Sequence, residues 1–245
     1  MGDDKKRKSK LITSYPNMMS NAQAEERLGF RFGSLKALPV DRMLANANKA
    51  KPDKGERQGT MKTKRKVYRE LVRYLLVEGY PTEADPDFKE ANINHLVYAT
   101  ISPILEKFIL TTGRKTLRLR SEKEIVSTDG ETGATEEFVV SDLISVKEEK
   151  FILVVEANRS SLGQAMKQCL LSMKDMSDNN CGGEVYGFVT TGKSWQMLRY
   201  DGASFHMTDE MVVLFHTMDE DKARWMRDCS ILVDCMNIAL RNGGT

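Results

Sequence analysis

The chain has 245 residues, with 37 Lys+Arg, 35 Asp+Glu and 3 His, for a formal net charge of +2. Its 40% apolar and 29% charged residues exclude a wholly disordered chain, and the length suits one domain with an appendage. No window approaches the roughly 18 unbroken apolar residues of a membrane span, and Met1-Gly2-Asp3-Asp4-Lys5 opens no apolar signal-peptide core.

Residues 1–58 lack sustained periodicity and carry Pro16, Pro39 and Pro52, so they are expected to form a basic, mostly irregular, disordered arm. A short helix near Asp41–Lys49 is the exception. Residues 1–66 hold 17 Lys+Arg against 7 Asp+Glu, while the remainder holds 20 against 28. A basic arm on an acidic body points to a polyanion partner, set against the plainer reading of a solvated tail. Lys5, Lys6, Arg7 and Lys8 form one basic cluster. Lys62, Lys64, Arg65 and Lys66 form a second. Both are candidates for nucleic-acid contact, and either would serve as a nuclear-import signal.

The ordered body is expected over residues 59–245. Val67, Leu71, Val72, Tyr74, Leu75 and Leu76 make a helical apolar stripe that stops at Gly79-Tyr80-Pro81. A longer helix covers Ala91–Phe108, with Pro103 as a kink point. After Gly113 the period changes to that of strands: Thr116–Ser127, then Glu137–Val146, then Lys150–Asn158. The run Phe151-Ile152-Leu153-Val154-Val155 is that of a strand buried on both faces. A helix follows over Ser161–Asp175. Strands are expected at Glu184–Thr191, Ser194–Asp201 and Met211–Thr217. An amphipathic helix closes the chain over Asp219–Arg241. This order predicts an α/β fold with a mixed central β-sheet flanked by helices.

Chemistry concentrates on the two hairpin strands. A polar turn at Lys147-Glu148-Glu149-Lys150 would bring Asp142 and Glu156 within one residue of direct opposition. Directly opposed side chains share a face, with Cβ atoms roughly 5 Å apart. Two like charges at that spacing need a compensator, and a divalent cation such as Mg²⁺ or Mn²⁺ suits paired hard oxygens. Asn158 lies on the same face as Glu156. Gln164, Lys167 and Gln168 share one face of the next helix, and Glu106 is a further candidate carboxylate. The plainer reading is that both acids are solvated at strand ends. His95, His206 and His216 lack ligand spacing. Cys169, Cys181, Cys229 and Cys235 are scattered, which favours a reducing compartment over a disulfide framework or a Cys-type zinc site.

Asp142, then Glu156-Ala157-Asn158, then a helix carrying Gln164, resembles the PD-(D/E)XK nuclease superfamily. Residues 90–215 follow that family's order of elements. The stretch Phe151–Asn158 with Gln164, and then Glu184–Trp195, is also similar to nuclease-like domains of fungal and oomycete crinkler-type and related selfish-element proteins. The resemblance implies a restriction-endonuclease-like αβββαβ core and Mg²⁺-dependent phosphodiester hydrolysis of DNA or RNA. Asp142 and Glu156 would then be metal ligands, with Asn158, Gln164 and Lys167 as further catalytic residues. Nucleic acid would be the partner, in the nucleus or cytoplasm. Asn158 departs from the family pattern, which has Lys there to stabilise negative charge. Lys167 is a possible substitute reaching in from the helix. The alternative is a nuclease-derived module, an effector or assembly subunit, that binds nucleic acid or protein without hydrolysis.

Overall fold

The computed structural model of the chain describes residues 13–14, 19–47, 54–82, 84–130, 132–145, 148–159 and 161–244. The elements run β1 (Thr13–Ser14), α1 (Asn21–Leu28), β2 (Ala37–Leu38), α2 (Val40–Ala47), α3 (Lys54–Glu78) and α4 (Glu90–Thr112). Then come β3 (Leu117–Val126), β4 (Thr132–Leu143), β5 (Glu149–Ala157), α5 (Leu162–Asn179), β6 (Val185–Thr190), β7 (Ser194–Tyr200), β8 (Phe205–Thr208) and β9 (Met211–Val212). The last helical stretch is α6 (Lys222–Arg224), a π turn at Trp225–Cys229, and α7 (Ile231–Asn242).

The fold is α/β, with one mixed sheet between two helical layers. The sheet order is β1-β4-β5-β6-β7-β8-β2, with β3 also paired to β4 and β9 to β7. β3, β4 and β5 are a meander of antiparallel strands, and β5 and β6 are parallel. A parallel pair needs a long crossover, which α5 supplies. Leu71, Leu96, Ile104, Val155, Phe188 and Leu232 belong to one core, between the sheet and α3, α4 and α7. Val154, Cys169, Leu170, Met173 and Val189 belong to the other, beneath α5. Both faces of β5 are therefore covered, as its continuous apolar run implies. α5 lies close because Gly187 of β6 has no side chain. A Cβ there would stand 2.5 Å from both Cys169 Sγ and Met173 Sδ.

Three features differ from the sequence expectations. First, residues 19–47 hold ordered elements against the body. Ser20 and Gln23 form a capping box that starts α1, and Arg27 Nη2 donates to Asp175 Oδ1 at 2.9 Å. β2 pairs parallel with β8, and Asn242 Nδ2 donates to the Ala47 carbonyl. The short helix expected near Asp41 is α2. Second, β4 begins at Thr132, five residues earlier than periodicity placed it. Third, α4 runs unbroken through Pro103, and β8 replaces most of the strand expected over Met211–Thr217. Among the described residues no helix is long and apolar enough to cross a membrane.

Candidate functional site

The β4–β5 register corrects the pairing of Asp142 with Glu156. Phe138 stands opposite Val155, a bulge between Val140 and Ser141 shifts the strands by one, and Asp142 stands opposite Lys150. Asp142 is thus six residues along β5 from Glu156, or about 20 Å at the rise of a strand. The two carboxylates cannot share an ion. The cause is the position of the hairpin turn. Glu149 and Lys150 belong to β5, and the connection falls at residues 144–148, where Ser145 N–H donates to the Glu148 carbonyl.

Asp142 instead fastens the start of β3 to α7. Arg114 Nη2 and Nε donate to Asp142 Oδ2 at 2.7 and 3.2 Å, and Arg114 Nη1 donates to the Leu240 carbonyl. Burial would raise the Asp142 pKa. Hydrogen bonds from Thr116 and Arg114, with the guanidinium charge, outweigh burial and hold it below the usual carboxylate range.

Around Glu156 the structure gathers different acids. The β4–β5 ladder ends at Phe138–Val155, one residue short of Glu137 and Glu156. The Ala157 N–H donates to Glu137 Oε2 at 2.8 Å, and the Glu137 N–H lies against the Glu156 carboxylate. Glu136 is fully buried beneath α5. It accepts from the Ser172 hydroxyl, and from Gln168 Nε2 at 3.3 Å. Its carboxyl also meets that of Glu156. Glu90, at the start of α4, acts on Glu137 through its charge and accepts from the Arg159 backbone N–H.

This cluster sits where β4 changes partners. β1 pairs with residues 132–133 of β4, and β5 with residues 138–143. Residues 134–137 lie between these pairings, at the C-terminal end of β5. In open α/β sheets that end of parallel strands is where ligands bind.

Electrostatics mark the same place. Burial, then the charge and hydrogen bond of Glu136, then the charge of Glu137, push the Glu156 carboxyl well above its usual range. Burial, with the charges of Glu90 and Glu136, pushes Glu137 up to about 7 against the Ala157 N–H. Cys169 is raised as well, by burial and by the Glu156 and Glu136 charges. Glu156 Oε1 is buried with no hydrogen-bond partner among the described residues. Carboxyls perturbed by burial and by one another are the pattern of a functional site, although ordinary packed networks also produce it.

The other expected residues are distributed differently. Asn158 caps the turn into α5: its Oδ1 accepts from Ser161 N–H at 3.0 Å, and its N–H donates to the Thr190 carbonyl. Lys167 is not a substitute cation for Glu156, because its Nζ donates to the Met19 carbonyl at 3.0 Å. Gln164 lies in the first turn of α5, and its side chain is outside the described residues. Glu106 pairs with Lys66.

The second basic cluster lies on α3. Lys64 pairs with Asp234 at 2.5 Å and Lys66 with Glu106, so only Lys62 and Arg65 stand exposed. Lys5, Lys6, Arg7 and Lys8 lie outside the described residues.

No protein-family model matches this chain, and no curated protein matches it.

The residues missed in the sequence are Glu136, Glu137 and Glu90. The signal was the run Glu136-Glu137-Phe138-Val139-Val140, an acidic pair entering an apolar strand. A strand start at Thr132 would have put that pair beside the end of β5.

Proposed function

We propose that the chain is a divalent-cation-dependent phosphodiesterase acting on nucleic acid, with Glu137 and Glu156 as its acidic pair in place of Asp142 and Glu156. The observation that carries this reading is the mutual arrangement of these two residues, each carboxylate lying against a backbone N–H of the other's neighbourhood at the end of β5.

The donor set fits Mg²⁺ or Mn²⁺. Two carboxylates are hard ligands, and Glu156 Oε1 is a buried oxygen with no hydrogen-bond partner among the described residues. Among the described residues no three His, Cys, Asp or Glu side chains form a group that could hold a metal ion. Mg²⁺ does not require such a cage, since one or two carboxylates, water and substrate phosphate commonly complete its shell. The cation supplies a more acidic water and neutralises charge on the attacked phosphate.

The chain's own residues do the rest. Glu137 and Glu156 are held beside each other by the Ala157 N–H on the Glu137 carboxyl and the Glu137 N–H on the Glu156 carboxyl. Glu136 keeps Glu156 in place from beneath, itself anchored by Ser172 and Gln168. Arg159 brings a positive charge to the rim through Glu90.

A second reading keeps binding and drops hydrolysis. It is favoured by Asn158, whose side-chain oxygen is used by the Ser161 N–H, and by Lys167, which is turned to Met19. Neither puts a positive charge beside Glu156. The experiment is incubation with plasmid and single-stranded RNA, with and without Mg²⁺ or Mn²⁺. Metal-dependent cleavage that is lost in Glu137→Gln and Glu156→Gln and retained in Asp142→Asn is the expected result. Binding with no cleavage under any metal selects the second reading.

A further inference from the structure

Next to the acidic cluster lies a pocket of opposite character. It has a volume of about 360 Å³ and is lined by Tyr80, Thr82, Arg159, Thr191, Lys193 and His216 among others, with no carboxylate among its described lining residues. Arg159 joins it to the acids, because the same residue's backbone N–H meets Glu90, which acts on Glu137.

Its cations stand on fixed backbone. The guanidinium of Arg159 donates through Nη2 to the Asp85 carbonyl at 2.7 Å. Lys193 lies in the tight β6–β7 turn. There the Trp195 indole donates to the Gly192 carbonyl, Thr191 N–H to the Ser194 carbonyl, and Val213 N–H to the Lys193 carbonyl. Gly192 has φ +84°, and a Cβ on it would come 2.8 Å from Leu96 Cδ2, so the turn is shaped for glycine. The Lys193 side chain is exposed at the pocket mouth. One wall is a stacked pair, Tyr80 on His216, with ring centroids 3.9 Å apart. Tyr80 is held by its hydroxyl, which donates to the Leu214 carbonyl.

We propose that this pocket receives the terminal phosphate of a nucleic-acid strand, with Lys193 and Arg159 as its cations and the Tyr80–His216 stack beside the end nucleotide. Two positioned cations with threonine hydroxyls suit a phosphate, an aromatic wall suits a base of any identity, and the volume lies in the range of small-ligand sites. The substrate class rests on the reading given under Proposed function. The pocket itself does not.

The test is fluorescence anisotropy of the full chain in EDTA. Single-stranded oligonucleotides of one sequence carry a 5′-phosphate, a 3′-phosphate or hydroxyls at both ends. One phosphorylated form should bind about tenfold more tightly than the hydroxyl form, about 1.4 kcal/mol. Lys193→Ala should erase that preference and leave hydroxyl-ended binding little changed. Equal affinity for all three strands, or a preference that survives in Lys193→Ala, overturns the proposal. No cleavage is required in EDTA, so the two readings fail separately. End preference without Glu156-dependent cleavage counts against the hydrolase alone. Glu156-dependent cleavage without end preference counts against the pocket alone.

Discussion

Arg114 grips Asp142 through two nitrogens at the far end of β5 from Glu156. The guanidinium is one-third exposed and the carboxylate is buried. Replacing Asp142 with Ala leaves Arg114 half-enclosed without its anion, which should cost about 1–3 kcal/mol. Cleavage per folded molecule should be unchanged. Urea midpoints and initial rates on the same samples check both parts, and a lost rate at full folding would return Asp142 to the proposed site.

Glu156→Gln should do the reverse. The amide removes a carboxyl that burial and Glu136 keep from ionising easily. Stability should rise by about 1 kcal/mol, a melting shift of about 2–4 °C in a chain of this size. Metal-dependent cleavage should fall by about a hundredfold or more. A variant that melts lower and cleaves normally would contradict both the burial argument and the assignment.

The raised carboxyl of Glu137 fixes a sign for pH. Its ordinary value is 4.5 and its folded value is about 7, so the folded protein holds a proton that the unfolded chain has released. Its contribution to stability is full below the ordinary value, declines as pH rises toward 7, and is flat above. Glu137→Gln should flatten that decline. Asp175, also pushed to about 7 by burial and then by Asp178, slopes the same way and should remain in the variant. Denaturant midpoints at half-unit steps from pH 4.5 to 8 separate the two.

The ion pair of Arg27 with Asp175 joins α1 to α5, and the Asp175 side chain is 1% exposed. Arg27→Ala strands a buried carboxyl and should cost about 3 kcal/mol. Backbone amides of α1 should exchange faster with solvent while those of β5 keep most of their protection. Uniform loss of protection would mean that α1 does not open separately.

The order of elements was readable because each long segment carries its own period. α4, β5 and α7 have apolar patterns that hardly depend on the rest of the chain. The register of β4 on β5 was not readable in the same way. Ile144 and Val146 look like strand continuation, while Glu149 and Lys150 look like a turn. In the fold, Glu149 is satisfied across the sheet by Ser141 and Lys123. Charge in a strand is paired by neighbours distant in sequence, so composition alone misplaced the turn. That error moved the acidic partner of Glu156 from Glu137 to Asp142. α1 and β2, unlike α2, were not legible for a related reason. They are short, and their partners, Asp175 and β8, lie far along the chain.

Those early residues cross the molecule from side to side. α1 rests on the α5 layer, β2 extends the opposite edge of the sheet, and α2 rests against α7. The segment is a strap that buckles at Asp175 and again at Asn242. Cutting the chain at residue 58, as its basic composition invites, would undo both buckles and bare apolar surface on each layer. Weak binding by such a shortened protein would report a loosened body as readily as a missing cationic tail. Charge-reversing substitutions at Lys62 and Arg65 on the intact chain probe the electrostatic contribution without that damage.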